Sequence, residues 1–290
     1  MFKKVLFPTD FSKPAKTELS CITSVPGIRE IILLHVIQQY AIPMGAEMVE
    51  TLEARTAETY LHEAKNYITT LNPEIRVTLK EAISNDITDA ILKKAEFQKV
   101  DIIVIHGYIK SIAEGLLRGC VSAKALCRVS KTNILIMPDS LVETLTGDTF
   151  EKYCPMIFSR ILCPTSLSEL SEKTAALAGT MKGVGEIVLL HIVKEGEKSG
   201  DGQDEMVAAG IKINSLRERF AARGIRSRTI VVSGKPEHEI ARTAQEEDVS
   251  LIWMRAAGKG CLHDFFFGSL VHDVIRRSNR PVIIIRSLPD

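Results

Sequence analysis

The chain contains itself twice. Val5-Leu6-Phe7-Pro8-Thr9 recurs as Ile161-Leu162-Cys163-Pro164-Thr165, and Leu33-Leu34-His35-Val36 recurs as Leu189-Leu190-His191-Ile192. Both pairs stand 156 positions apart. Gly119-Cys120-Val121 answers to Gly268-Ser269-Leu270 at a spacing of 149, so the second copy is seven residues shorter between its second strand and its glycine loop. A solenoid repeats every ~20–50 residues, so a spacing of this size means two tandem domains. The length of 290 residues agrees with a prior of about 150 per domain. The first copy is expected over 1–140 and the second over 159–290. Residues 141–158, with Gly147, Asp148, Pro155 and few periodic apolar positions, read as the linker.

Within each copy short aliphatic runs alternate with amphipathic stretches. The runs are Lys4–Phe7, Ile31–Ile37, Val77–Ala82, Ile102–Ile105 and Ile134–Met137, then Ile161–Cys163, Ile187–Val193, Arg228–Val232, Leu251–Met254 and Val282–Ile285. Consecutive apolar positions mark strands buried on both faces of a parallel sheet. Between them, Ala54 to Leu71 places Ala57, Leu61, Ala64 and Ile68 at helical spacing, and Glu237 to Glu247 follows a Gly-Lys-Pro start. Strand–helix alternation of this kind builds right-handed βαβ units. The fold class is therefore α/β: two tandem, doubly wound parallel sheets of five strands each.

Composition narrows the function. Lys plus Arg is 37 and Asp plus Glu is 36, so no net field draws nucleic acid or an anionic membrane. No aliphatic run approaches the roughly 18 apolar residues of a membrane span, and Lys3-Lys4 precede too short an apolar stretch for a signal peptide. Six cysteines are scattered with no C-x-x-C pair and no histidine spaced to complete a zinc site. They read mostly as reduced, buried, apolar residues, no metal is expected, and the chain reads as cytoplasmic.

In an open α/β sheet, ligands bind beyond the carboxyl ends of the strands where the winding reverses. The informative loops are Pro8-Thr9-Asp10-Phe11-Ser12 after strand one of the first copy, and Arg255-Ala256-Ala257-Gly258-Lys259-Gly260 after strand four of the second. Glycine there lets backbone N–H groups approach a phosphate. Gly268-Ser269 is expected to open a helix running to about Ser278, whose free first-turn N–H groups would favour an anion.

These residues resemble the universal stress protein family in a tandem two-domain form, across nearly the whole chain. The family pattern is P-T-D after strand one, a second strand ending like LLHV, and G-x2-G-x9-G-[S/T] after strand four. The resemblance implies strand order 3-2-1-4-5 and adenine-nucleotide binding (ATP, ADP or AMP, with or without Mg²⁺). It implies that the P-T-D loop and the residue after the strand-two histidine hold base and ribose, while the glycines and the Ser hold phosphates. It also implies pairing through fifth strands, here Ile134–Met137 and Val282–Ile285, inside one chain or between two chains.

The two copies depart from the pattern in complementary ways. The first keeps Pro8, Thr9, Asp10 and Val36, but His106 and Ile109 replace two glycines and Cys120 replaces the Ser, leaving Gly119 and then Val121. The second keeps Gly258, Gly268, Ser269 and Leu270, with Pro164, Thr165 and Ile192 at the nucleoside end. There Ser166 replaces the Asp, Arg255 replaces the first glycine, and Lys259 adds a cation. The second copy is thus expected to hold the better phosphate site and the first a weaker one.

Arg255 has two readings: a bidentate phosphate contact, or a side chain that faces solvent or blocks the pocket. Asp10 either accepts ribose hydroxyls or caps the helix that begins near Ser12. His35, His191 and His106 read as satisfied structural histidines. No H-x-x-E, Ser/His/Asp or Walker-lysine arrangement stands in either loop. The expected role is a non-catalytic, nucleotide-binding stress regulator acting on a protein partner. A nucleotide-free tandem scaffold is the alternative, and a slow ATP hydrolase ranks third.

Overall fold

The computed structural model describes residues 2–38, 47–107, 130–193, 202–255, 264–286 and 288. The chain divides into two compact units, Met1–Leu145 and Thr146–Asp290. In unit 1 the order is β1 (Lys4–Pro8), α1 (Lys13–Ser24), β2 (Glu30–Gln38), α2 (Glu47–Leu71), β3 (Arg76–Ser84), α3 (Ile87–Phe97), β4 (Ile102–Gly107), β5 (Asn133–Pro138) and α4 (Asp139–Val142). In unit 2 it is α5 (Gly147–Tyr153), β6 (Arg160–Pro164), α6 (Glu169–Ala178), β7 (Glu186–Val193), α7 (Gly202–Ala221), β8 (Ser227–Ser233), α8 (Pro236–Glu246), β9 (Leu251–Arg255), α9 (Asp264–Arg277) and β10 (Val282–Ile285).

Each of the ten expected runs is a strand. Unit 1 pairs β3-β2-β1-β4-β5, all parallel. Unit 2 pairs β8-β7-β6-β9-β10, again all parallel. The registers match: Val5 faces Ile31 and Ile102, and Ile161 faces Ile187 and Leu251. The central strands are buried on both faces, as their unbroken aliphatic sequence requires. Helices add one apolar face each; on α7 this is Ala209, Ile213, Leu216 and Phe220, all buried. Each such large side chain contributes about 1.5–3 kcal/mol relative to exposure.

The repeat extends to the backbone. Phe11 and Leu167 share a left-handed conformation, with φ of 62° and 57°, and so do Lys99 and Asp248, with φ of 49° and 46°. The first pair lies 156 apart and the second 149, the two spacings of the sequence repeat. Non-glycine residues pay about 1–3 kcal/mol for a sparsely populated conformation of this kind, so the loops around them impose it.

The amino ends of the strands are pinned by ion pairs at matching places. Glu30 on β2 meets Arg76 on β3 at 2.6 Å and Lys4 on β1 at 3.7 Å. Glu186 on β7 meets Arg160 on β6 at 2.8 Å and Arg228 on β8 at 3.8 Å.

Three expectations need correction. Residues 141–158 are not an open connector: they include the end of α4 and all of α5, and Leu141, Val142, Leu145, Tyr153, Ile157 and Phe158 are buried. Short helices with irregularly spaced apolar anchors escape a search for periodicity. Cys163 is free and buried, and burial pushes its thiol well up, but Cys21 and Cys154 are disulfide-bonded. The expected helix at Gly268 opens four residues earlier, at Asp264.

Among the described residues, no helix is long and apolar enough to cross a membrane.

Candidate functional site

Unit 2 has a cavity of about 640 Å³ at the carboxyl ends of its strands, where the winding reverses between β6 and β9. Its walls bring together six of the ten residues expected there: Pro164, Thr165, Ser166, Ile192, Arg255 and Leu270. Gly258 and Lys259 lie outside the described residues. Gly268 and Ser269 fall in the second turn of α9. The N–H groups that a helix start leaves free belong to the turn before them.

Arg255 ends β9 beside buried Met254. Among the described residues its Nε and Nη1 are buried without a hydrogen-bond partner, and desolvation lowers its pKa from the usual arginine value. A guanidinium remains charged nonetheless. Leaving such donors unpaired costs ~1–3 kcal/mol or more, and a ligand anion in the cavity would remove that cost. Lys212 and Glu205 on α7 supply the cavity wall with one further cation and one carboxylate.

At the other end of the wall, the loop after β6 is tied down by its own hydroxyls. Thr165 Oγ1 accepts the Leu167 N–H at 3.0 Å, and Thr165 donates its own N–H to the Leu190 carbonyl at 2.8 Å. Ser168 caps α6 in a reciprocal box with Ser171. His191 donates Nδ1–H to the Thr165 carbonyl at 2.9 Å, a satisfied structural role that nevertheless leaves the ring on the cavity wall. The box was announced by Ser168 and Ser171 at i, i+3 before an apolar run, a spacing the sequence reading passed over. Glu205 and Lys212 carried no comparable signal.

Unit 1 builds the same loop with different contents. Thr9 Oγ1 accepts the Phe11 N–H at 3.0 Å, and His35 Nδ1–H donates to the Thr9 carbonyl at 2.9 Å. Asp10 does not cap α1: its Oδ1 accepts the Ser12 N–H at 3.0 Å, while Ser12 itself caps the helix through the Ala15 N–H at 3.3 Å. Phe11 packs on the His35 ring at 4.6 Å and on Tyr60 at 5.2 Å between ring centres. A cavity of about 190 Å³ beside it is lined by Thr9, Phe11, Lys16, Tyr60 and Tyr67, but not by Pro8, Asp10 or Val36. Gly119, Cys120 and Val121 lie outside the described residues.

Among the described residues, no group of three or more His, Cys, Asp or Glu gathers as a metal would need.

Comparison with known proteins finds similarity to universal stress proteins. Over 157 residues the chain is 29% identical to a universal stress protein of Methanocaldococcus jannaschii, covering 45% of this chain and 96% of that one. Over 148 residues it is 28% identical to the universal stress protein YxiE of Bacillus subtilis, covering 45% and 100%. A solved universal stress protein from Archaeoglobus fulgidus is similar across 98% of this chain and 97% of its own, with a TM-score of 0.74 and 23% identity, a likeness of fold. Residues 158–286, which hold every described wall residue of the larger cavity, match the model of the universal stress protein family.

Proposed function

We propose that unit 2 binds an adenine nucleotide (ATP, ADP or AMP) and that occupancy regulates docking of a protein partner in the cytoplasm, without turnover. In this reading Pro164, Thr165, Ser166 and Ile192 hold the nucleoside. Arg255, Gly258, Lys259, Gly268, Ser269 and Leu270 serve the phosphate end. One observation supports it above the rest: the unpaired Nε and Nη1 of Arg255 on the wall of the cavity. A phosphate accepts from a guanidinium in bidentate fashion and in charge-assisted bonds. The family match over residues 158–286 supports it independently.

Unit 1 is the weaker site in this proposal, formed by Pro8, Thr9, Asp10, Val36, Gly119, Cys120 and Val121. The Phe11 ring lying against His35 supports that ranking. A regulatory effect requires the partner to distinguish bound from free protein, because a ligand shifts only what it binds differentially.

The test is calorimetric titration of ATP, ADP and AMP, with and without Mg²⁺, into wild type and Arg255→Ala. Binding that weakens at least about tenfold in the variant supports the assignment. Absence of binding at millimolar nucleotide overturns it and favours the nucleotide-free scaffold.

A further inference from the structure

The two loops differ by a compensated exchange. In unit 1, Asp10 accepts the Ser12 N–H, and the residue five places on from Asp10 is Ala15. The equivalent residues in unit 2 are Ser166 and Ser171. Here the Ser168 N–H goes to Ser171 Oγ at 3.1 Å, and the Ser171 N–H returns to Ser168 Oγ at 3.3 Å. The turn keeps its bond while the acceptor moves from the loop to the first turn of α6. The rest of the loop is unchanged, with Leu167 at φ 57° against Phe11 at φ 62° and the same threonine bond at 3.0 Å in both.

What the exchange changes is the charge facing the cavity. Ser166 is exposed on the cavity wall, and among the described residues its hydroxyl has no backbone partner and meets the Ser168 hydroxyl at 3.0 Å and the Ser171 hydroxyl at 3.3 Å. A carboxylate accepts from ribose hydroxyls and repels a phosphate; a rotatable hydroxyl donates to one. The acidic residues of the first turn of α6 are engaged, Glu169 with Lys173 at 2.7 Å and Glu172 with Arg219 at 2.6 Å, and the wall's carboxylate, Glu205, stands on α7 with the cation Lys212, away from this loop in sequence.

We infer that Ser166 sets the ligand charge of this cavity, which takes an adenine nucleotide phosphorylated on its ribose as well as at the 5′ position, the class of nucleoside 3′,5′-bisphosphates. The inference rests on the nucleotide reading of the same cavity. One phosphate pairs with Arg255 and the other meets the hydroxyls of Ser166 and Ser168.

The experiment titrates adenosine 3′,5′-bisphosphate and AMP into the full chain and into Ser166→Asp and Ser166→Ala. The bisphosphate is expected to bind wild type about tenfold tighter than AMP, and Ser166→Asp is expected to reverse that order. Ser166→Ala, which adds no charge, lowers bisphosphate affinity several-fold and by a larger factor than it lowers AMP affinity, and decides the matter if the Asp variant does not fold. Equal or tighter AMP binding by wild type, or a preference untouched by substitutions at 166, overturns the inference and leaves the nucleotide reading standing. Failure of both ligands to bind wild type overturns both.

Discussion

His191 gives its Nδ1–H to the carbonyl oxygen of Thr165 across 2.9 Å, clamping the end of β7 to the loop after β6. A carbonyl cannot donate, so Nδ1 carries the proton and the neutral ring presents Nε2 as an acceptor. Imidazole ¹⁵N shifts measured near neutral pH on the neutral ring are expected to show the Nδ1–H tautomer for both His191 and His35. His191→Ala loses the clamp and is expected to cost about 1–2 kcal/mol in urea unfolding. A cost near zero would remove the structural role assigned to this ring.

The exchange between Ser166 and Ser171 makes a prediction about stability that is separate from ligand choice. Ser171→Ala strips the Ser168 N–H of its acceptor and opens the capping box, at a cost of about 1 kcal/mol. Adding Ser166→Asp rebuilds the pairing that unit 1 has in Asp10 and Ala15, and should recover most of that loss. The buried Trp253, the chain's one tryptophan, donates to the Thr174 carbonyl at 2.9 Å and lies in the same unit. Its fluorescence therefore follows unfolding of this half. Additive losses in the double variant would show that the two residues do not share a task.

Arg255 should trade stability against binding. Its unpaired guanidinium atoms make the unliganded protein pay for desolvation. Arg255→Met keeps the apolar stem without the charge, and is expected to raise unliganded stability by about 1 kcal/mol. The same variant should lose nucleotide affinity. Thermal melting without ligand checks the first half of the prediction, and a lower melting temperature would mean that Arg255 is satisfied in solution.

Asp248 is paired with Lys152 and, at 3.1 Å, with Arg280. The hydrogen bond from Lys152 holds its carboxyl below the ordinary aspartate value. A depressed carboxylate contributes stability that is complete above the unfolded pKa of about 3.9 and is lost as pH falls through the lower folded value. Asp248→Asn should therefore lower the urea midpoint at pH 7 and flatten its decline below about pH 4. The effect is small, because the side chain is 67% exposed and screened by solvent. Parallel acid limbs for wild type and variant would contradict it.

The strands were legible because Ile31 to Leu34 or Ile187 to Leu190 can be buried only from both sides. The repeat then pointed to the carboxyl ends of β6 and β9, where the larger cavity lies. Other features were hidden for particular reasons. The start of α9 at Asp264 was hidden because a glycine such as Gly268 reads more readily as the end of a loop than as the second turn of a helix. The duty of Ser171 was written only in its spacing from Ser168, because a serine in the first turn of a helix otherwise reads as a neutral surface choice. Tyr153, Ile157 and Phe158 anchor a segment that has no period to detect. That Cys21 is disulfide-bonded, and Cys154 likewise, leaves no mark in spacing when the cysteines are scattered.

The left-handed residues Phe11 and Leu167 carry a broader consequence. A backbone contortion that survives at both places, under side chains as unlike as phenylalanine and leucine, behaves as inherited scaffolding. Once a gene holds two such scaffolds, one can keep an ancestral occupation while the other drifts, since the loop tolerates a change of acceptor without losing its path. The chain is in that sense a ready-made experiment in divergence: each half is a viable control for substitutions made in the other.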